Sequence, residues 1–397
     1  MTYLKYFIIS SIFLVCSCFG QTVDKENLAI KTGAQQTSKY LHLLKNKRVA
    51  VVANHTTRIN DTHLVDSLLS LNVDIEKIFS PEHGFRGMAD AGEHVKDYKD
   101  KKTGLSVISL YGSSKKPKLM DLENIDILIF DLQDVGVRFY TYISTMHYVM
   151  EACAEMNIDM LILDRPNPNG FYVDGPVLDT IYKSFVGMHP VPIVHGMTIA
   201  EYAQMINGES WLKNNLTCKL DIVSCENYTH ELKYKLPVNP SPNIQNMHAV
   251  YLYPSLGFFE GTSLSAGRGT EFPFQVFGGP DFKKTDFMFT PRSINGASKY
   301  PKHQNKLCYG VDLREIDLDN LNEQKQINLE WIILAYNSVK NQDAFFKKFF
   351  YNISGTKHLR DQIVAGKSEK EIRDSWKANL DKFKEIRKKY LIYEDFK

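Results

Sequence analysis

The chain has 397 residues, 43% of them hydrophobic and 24% charged, the balance of a globular protein with material for a large core and for more than one domain. Lys and Arg number 48 against 46 Asp and Glu, a formal net charge of +2. No global field therefore draws the protein to nucleic acid or to an anionic membrane surface.

The N-terminus differs from the rest. Lys5 supplies a positive charge, Tyr6 to Val15 is almost wholly apolar, and small residues follow at Cys16, Ser17 and Gly20. This reads as a secretory signal, too short to span a bilayer as a mature helix. Val15-Cys16-Ser17-Cys18 resembles a lipobox with Cys18 lipidated, whereas cleavage after Gly20 would leave Gln21. Either route predicts a protein exported to the periplasm or envelope, whose membrane contact is at most a lipid anchor on Cys18. The remaining cysteines, Cys153, Cys218, Cys225 and Cys308, form no C-x-x-C pair. Isolated buried thiols are expected, a Cys218–Cys225 disulfide being the alternative, and no metal or other cofactor is implied.

Beyond a polar leader, Arg48 to Ala53 is a short β-branched run of the kind buried on both faces of a sheet. Its tip carries Asn54 and His55. Asp61 to Leu71 places Leu64, Leu68 and Leu71 at helical spacing. Ile75 to Phe79 is a second strand, stopped at Ser80-Pro81 because proline cannot continue a central strand. Directly after it come Glu82, His83, Gly84 and Arg86. The charged run Lys96 to Lys102 reads as a solvated loop.

Further apolar runs at Leu105–Leu110, Ile125–Phe130 and Met160–Leu163 complete five short strands alternating with helices or loops. The pattern predicts an α/β fold: a Rossmann-like, mainly parallel sheet domain. In a parallel sheet all C-terminal tips open on one edge, where ligands bind. That edge would gather Asn54, His55, Glu82, His83 and Arg86 with Asp131, Gln133, Asp134 and Arg138 from the fourth tip. Asp164, Arg165 and Asn167 follow from the fifth, and Tyr140 and Tyr142 open the helix after the fourth. No G-x-G-x-x-G follows the first strand and no phosphate-binding P-loop occurs, so the fold lacks a nucleotide signature. Carboxylates, amides, arginines and tyrosines together suit a polyhydroxylated ligand with an anionic substituent.

Thr198 to Glu201 is a capping box opening a helix. Pro237 to Pro254, rich in Pro and Asn, is the expected hinge into a smaller α+β C-terminal domain. The domains expected are a signal peptide over 1–20, a Rossmann-like catalytic domain over 21–240, and a domain over 241–397 that closes the cleft. Early in the last, three glycines bracket Glu260, Arg268 and Glu271, a loop whose backbone could approach a ligand closely. A long C-terminal helix follows Ser368, its stripe of Ile372, Trp376, Leu380, Phe383, Ile386 and Tyr390 serving core packing.

Glycosidic cleavage needs an acid for the leaving oxygen and a second group acting as nucleophile or base, or orienting a substrate amide. Glu82, beside Phe79, Pro81 and Phe85, is the leading acid, with desolvation expected to hold it protonated. Its partner is one of Asp131, Asp134, Glu260 or Glu271, with Asp131 taken first. Arg86, Arg138 or Arg268 could fix a substrate carboxylate through paired hydrogen bonds. The rival chemistry is metal-assisted hydrolysis by an amidase or esterase through His55, His83 and Asp131, although no H-E-x-x-H is present. A nucleophilic serine lacks its G-x-S-x-G elbow.

Six motifs, in order, resemble the exo-β-N-acetylmuramidase family, long catalogued only as a domain of unknown function. They are Asn54-His55-Thr56, Ser80-Pro81-Glu82-His83-Gly84-Phe85-Arg86-Gly87, Ser109-Leu110-Tyr111-Gly112, the stretch from Phe130 to Tyr142, Asp164-Arg165-Pro166-Asn167-Pro168, and Glu260-Gly261-Thr262 through Thr270. The resemblance implies an exported glycoside hydrolase that releases N-acetylmuramic acid from the non-reducing end of peptidoglycan fragments. Muropeptides and MurNAc-GlcNAc would be its partners, and no cofactor would be needed. It also implies a site in the cleft between two domains and puts the family's proposed catalytic glutamate on Glu82. The lactyl carboxylate of muramic acid would explain arginines beside that acid. A non-catalytic envelope protein binding muropeptides with the same residues is the alternative from another class.

Overall fold

The computed structural model describes residues 29–397 except 83, 87–96 and 113. The expected signal segment, with Cys18 and Gly20, lies outside the described residues, as does His83. Among the described residues no helix is long and apolar enough to cross a membrane.

The centre is a seven-stranded sheet. Its strands are β1 (Val49–Ala53), β2 (Ile75–Ser80), β3 (Tyr98–Lys99), β4 (Ser106–Ser109), β5 (Ile127–Asp131), β6 (Asp159–Leu163) and β7 (Leu220–Val223), in the spatial order β3-β4-β2-β1-β5-β6-β7. All neighbours are parallel except the edge pair β3–β4. Part of the run read as a solvated loop is therefore an edge strand, and Asp100 just beyond it is buried. The continuous apolar runs have a simple cause. Successive side chains of a strand point to opposite faces, and here both faces are covered: Ala50, Val52, Leu128 and Phe130 enter one hydrophobic cluster, while Val49, Val51, Ile127 and Ile129 enter the other.

Helices form where the spacing places them: α1 (Leu64–Ser70), α2 (Tyr142–Met156) and α3 (Ile199–Gly208). The first begins later than expected. Residues 58–63 make a two-stranded turn, and His63 caps the helix, its Nδ1 accepting from the Val65 amide at 3.3 Å. At α3, Thr198 and Glu201 exchange backbone amides as a capping box, with the Thr198 amide 2.8 Å from the Glu201 carboxylate.

The expected hinge is irregular only to Asn246, after which α4 (Met247–Leu256) begins, with Pro254 inside it. Proline at that position leaves the Val250 carbonyl without its i+4 donor. The Asn169 amide fills the gap, donating to that carbonyl at 3.3 Å. The C-terminal part adds a three-stranded antiparallel sheet, β8 (Val276–Gly279), β9 (Met288–Phe289) and β10 (Cys308–Asp312), with β10 in the middle, and the helices α5 (Glu330–Ser338) and α6 (Glu369–Lys388). The buried stripe of α6 is Ile372, Trp376, Leu380, Phe383 and Arg387. Arg387 reaches the Gly196 carbonyl at 2.6 Å and Asp395 at 2.7 Å. Tyr393 then donates to Asp164 at 2.6 Å, so the chain's end is tied back to the tip of β6. The four described cysteines are free and buried.

Candidate active site

The strand order reverses about β1: the chain proceeds outward through β2 and β4 on one side, then through β5, β6 and β7 on the other. Such a switch point leaves a crevice beyond the strand tips. Glu82 reaches it from the turn after β2. Pro81 ends the strand, Gly84 takes a φ of +75° that favours glycine, and Phe85 turns back into the core against His63 with ring centroids 4.7 Å apart. Glu82 stays half-buried at the lip, where the Tyr111 hydroxyl donates a hydrogen bond to its carboxylate. Burial, reinforced by the Glu82 charge, raises the Tyr111 phenol.

The crevice is a cavity of about 190 Å³. Its polar wall carries Glu82, Tyr111, Tyr142, Glu260 and Arg268, and Phe185, Phe349 and Ile353 close the apolar side. The floor is a belt of edge-to-face rings: Tyr142 on Tyr140 at 4.8 Å, Tyr140 on Tyr253 at 6.1 Å, and Tyr253 on Phe274 at 4.8 Å. The Arg268 guanidinium lies 5.0 Å above the Phe274 ring and donates from Nε to Glu260 at 3.1 Å. Tyr140 and Tyr142 are fixed from behind, the first donating to the Pro240 carbonyl at 2.7 Å, the second accepting from the Asn54 amide at 2.7 Å. Gly257 makes room for Phe139, whose ring would lie 2.3 Å from a Cβ there.

Five of the residues singled out in the sequence therefore meet: Glu82, Tyr140, Tyr142, Glu260 and Arg268 line one cavity. The others among the described residues do not line it. Asp131, taken first as the catalytic partner, is fully buried in an ion pair with Arg165 at 2.5 and 2.8 Å. Arg138 is fully buried and donates to the carbonyls of Pro176, Val191 and Ile353 at 2.7–3.0 Å. Burial pulls its guanidinium down to about 9. Arg86 pairs with Asp100 at 2.8 Å and Asp66 at 3.2 Å, which bind α1 to the edge of the sheet.

His55 meets the Asn239 carbonyl at 2.8 Å. Gln133 donates to the Asp134 and Pro166 carbonyls at 2.8 Å, and Asn167 to Met197 at 2.9 Å. Asn54 stands behind the wall, touching the cavity only through Tyr142. Asp134 lies behind the tyrosines, one oxygen accepting from the Gly136 amide at 2.7 Å and the other buried without a partner among the described residues. Burial lifts its carboxyl to about 7 against the pull of the Gly136 and Val135 amides. Glu271 is exposed. No cluster of three or more His, Cys, Asp or Glu side chains suited to a metal ion occurs among the described residues.

Comparison with known proteins decides the family. Residues 49–248 match the family model described as exo-β-N-acetylmuramidase NamZ, N-terminal, and residues 251–393 match its C-terminal counterpart. The chain belongs to the exo-β-N-acetylmuramidase family. It is similar to the peptidoglycan β-N-acetylmuramidase NamZ of Bacillus subtilis, 39% identical with 93% of this chain and 94% of the relative covered. Two crystal structures of DUF1343 family proteins from Bacteroides fragilis share the fold. One is 48% identical with a TM-score of 0.86, covering 93% of this chain and all of that one. The other is 29% identical with a TM-score of 0.77, covering 92% and 99%. The second family segment begins inside α4, between the switch-point crevice and the Glu260–Arg268 loop. Each family segment thus supplies part of the cavity's lining.

Proposed function

We propose that the protein is an exo-acting glycoside hydrolase that releases N-acetylmuramic acid from the non-reducing end of peptidoglycan fragments. The observation that carries the reading is the joint presence of Glu82 and the Glu260–Arg268 pair in one cavity of about 190 Å³.

Glu82 is the general acid. Positioned at the lip, it protonates the glycosidic oxygen as the bond to the anomeric carbon breaks, so that the remaining fragment leaves as a neutral hydroxyl; a water supplies the new bond to the anomeric carbon, and the proton it loses restores the acid. Arg268 takes the lactyl carboxylate of the muramyl ring through the guanidinium N–H groups not engaged by Glu260, the paired geometry that suits a carboxylate. The aromatic floor gives the sugar an apolar surface of ring edges and faces and sheds water as it fills. Of the four carboxylates weighed as a partner for Glu82, Glu260 is the one that lines the cavity among the described residues.

Export supports the same reading, since the substrate lies outside the cytoplasm. The apolar run Tyr6–Val15, followed by Cys18 and Gly20, supports a periplasmic or lipid-anchored envelope location.

The test is hydrolysis of a chromogenic β-N-acetylmuramide. The wild type should turn it over and Glu82→Gln should lose roughly 10²–10⁴-fold in kcat. Equal rates would remove Glu82 from its role. Tight binding of N-acetylmuramic acid without turnover by the wild type would favour the binding-protein alternative.

A further inference from the structure

The Glu260–Arg268 loop is tied by backbone bonds at its middle, Ser265 to Gly278 of β8 at 2.8 and 3.0 Å, and near its start, Ser263 and Gly261 to Phe345 and Lys347 at 2.7 and 2.9 Å. It consists of a short 3-10 turn (Gly257–Gly261), an extended stretch, and a tight turn through Gly267 and Gly269, both at positive φ. Carbonyls at the end of the 3-10 turn and in the stretch after it converge on one point, and such groups need donors. Besides Thr262, which donates to Phe259 at 3.1 Å, they find them on a distant segment, Pro301-Lys302-His303. The Lys302 ammonium donates to the carbonyls of Phe259 at 3.0 Å, Thr262 at 2.7 Å and Leu264 at 2.8 Å. Next to it, the His303 ring meets the Ser263 carbonyl at 2.7 Å. Pro301 packs where a Cβ on Gly269 would come within 2.6 Å of its ring. One three-residue segment thus touches both ends of the loop, next to Glu260 on one side and next to Arg268 on the other.

We infer that Lys302 is the positioning residue of the carboxylate-recognising pair: its ammonium holds the backbone that carries Glu260 and sets the reach of Arg268 into the cavity. The inference rests on the proposed role of Arg268 in taking the substrate's carboxylate.

Three convergent carbonyls repel one another, and only a cation or several N–H donors can keep them together. A lysine supplies both in one group, at the negative end of a helical turn, where a positive charge is favoured. Burial brings the ammonium down to about 8 against the support of the Glu260 charge, with Lys347 and Arg268 adding to the fall. Without the ammonium the carbonyls would splay, Glu260 would shift with its backbone, and Arg268 would lose the partner that fixes its Nε. The damage would fall on binding of the ground-state substrate rather than on proton transfer by Glu82, which is carried by a different segment, the turn after β2, and not by this loop.

The experiment is a double-mutant cycle on the full chain with the chromogenic muramide. Lys302→Met should raise KM about tenfold with kcat within about threefold, and Lys302→Arg should recover most of the loss. In an Arg268→Met background, Lys302→Met should raise KM no further, because its effect passes through that guanidinium. An unchanged KM in Lys302→Met, or a loss that multiplies fully with that of Arg268→Met, would overturn the inference while leaving the proposed reaction intact. Absence of turnover by the wild type would overturn both. Should Lys302→Met not fold, the same cycle is read with Lys302→Gln, whose amide keeps two donors.

Discussion

Replacing Asp131 with Asn separates a catalytic carboxylate from one that holds the sheet together. The side chain is fully buried and Arg165, its partner, is nearly so. Removing one charge leaves the guanidinium stranded in a low-dielectric site, and breaking a buried pair in this way costs about 3–5 kcal/mol. With unfolding entropy near 2.1 cal/mol/K per residue, a chain of 397 residues has roughly 0.8 kcal/mol/K, so the melting temperature should fall by about 4–6 °C. Catalysis should barely change: at 20 °C, well below either transition, kcat for the muramide should stay within about threefold of wild type. The assay is differential scanning calorimetry beside steady-state kinetics on the same preparation. An unshifted transition together with a hundredfold loss of kcat would refute the reasoning and return Asp131 to the chemistry.

Other expectations follow from the same geometry. Arg268→Met removes charge-assisted hydrogen bonds worth about 1.5–3 kcal/mol; KM for the muramide should rise about 10–100-fold, and an unchanged KM would show that the carboxylate binds elsewhere. Asp134 is raised to about 7 in the folded protein from an ordinary 3.8. A carboxyl raised on folding contributes stability that is complete below 3.8 and is lost as pH climbs through 7. At about 1.4 kcal/mol per pH unit this reaches up to about 4 kcal/mol, so Asp134→Asn should gain stability over wild type between pH 4 and pH 8. Denaturant unfolding at both pH values checks this, and a gap between the two proteins that does not widen with pH would count against the buried, unpaired oxygen.

The reach of the sequence can be judged element by element. Runs such as Val49–Ala53 and Ile127–Asp131 were legible as strands because burial on both faces leaves no polar alternation, and the capping boxes at Thr198 and Ser368 marked helix starts by chemistry alone. The strand tips were harder. A polar residue at a tip either faces the crevice or satisfies the backbone and charges that the parallel sheet buries there, and residue type does not distinguish the two. Asp131 with Arg165, Arg138 with three carbonyls, and Gln133 with two are all of the second kind.

The walls were missed for the opposite reason. Phe139, Tyr253 and Phe274 look like core, and they are core on one side, but their packing is edge-to-face around a void. The signals that were present were Tyr111 directly after a strand that ends beside Glu82, and two tyrosines at the start of α2. Arg268 and Glu260 were singled out from glycine bracketing, while Lys302 carried no local sign, because its partners lie about forty residues away.

The most direct measurement is a crystal structure of Glu82→Gln soaked with a MurNAc-GlcNAc disaccharide. The account predicts the muramyl ring over the Tyr140–Tyr253 floor, its lactyl carboxylate on Arg268, and the glycosidic oxygen within hydrogen-bond distance of residue 82. A sugar bound outside this cavity, or seated in it with the lactyl group pointing away from Arg268, would contradict it.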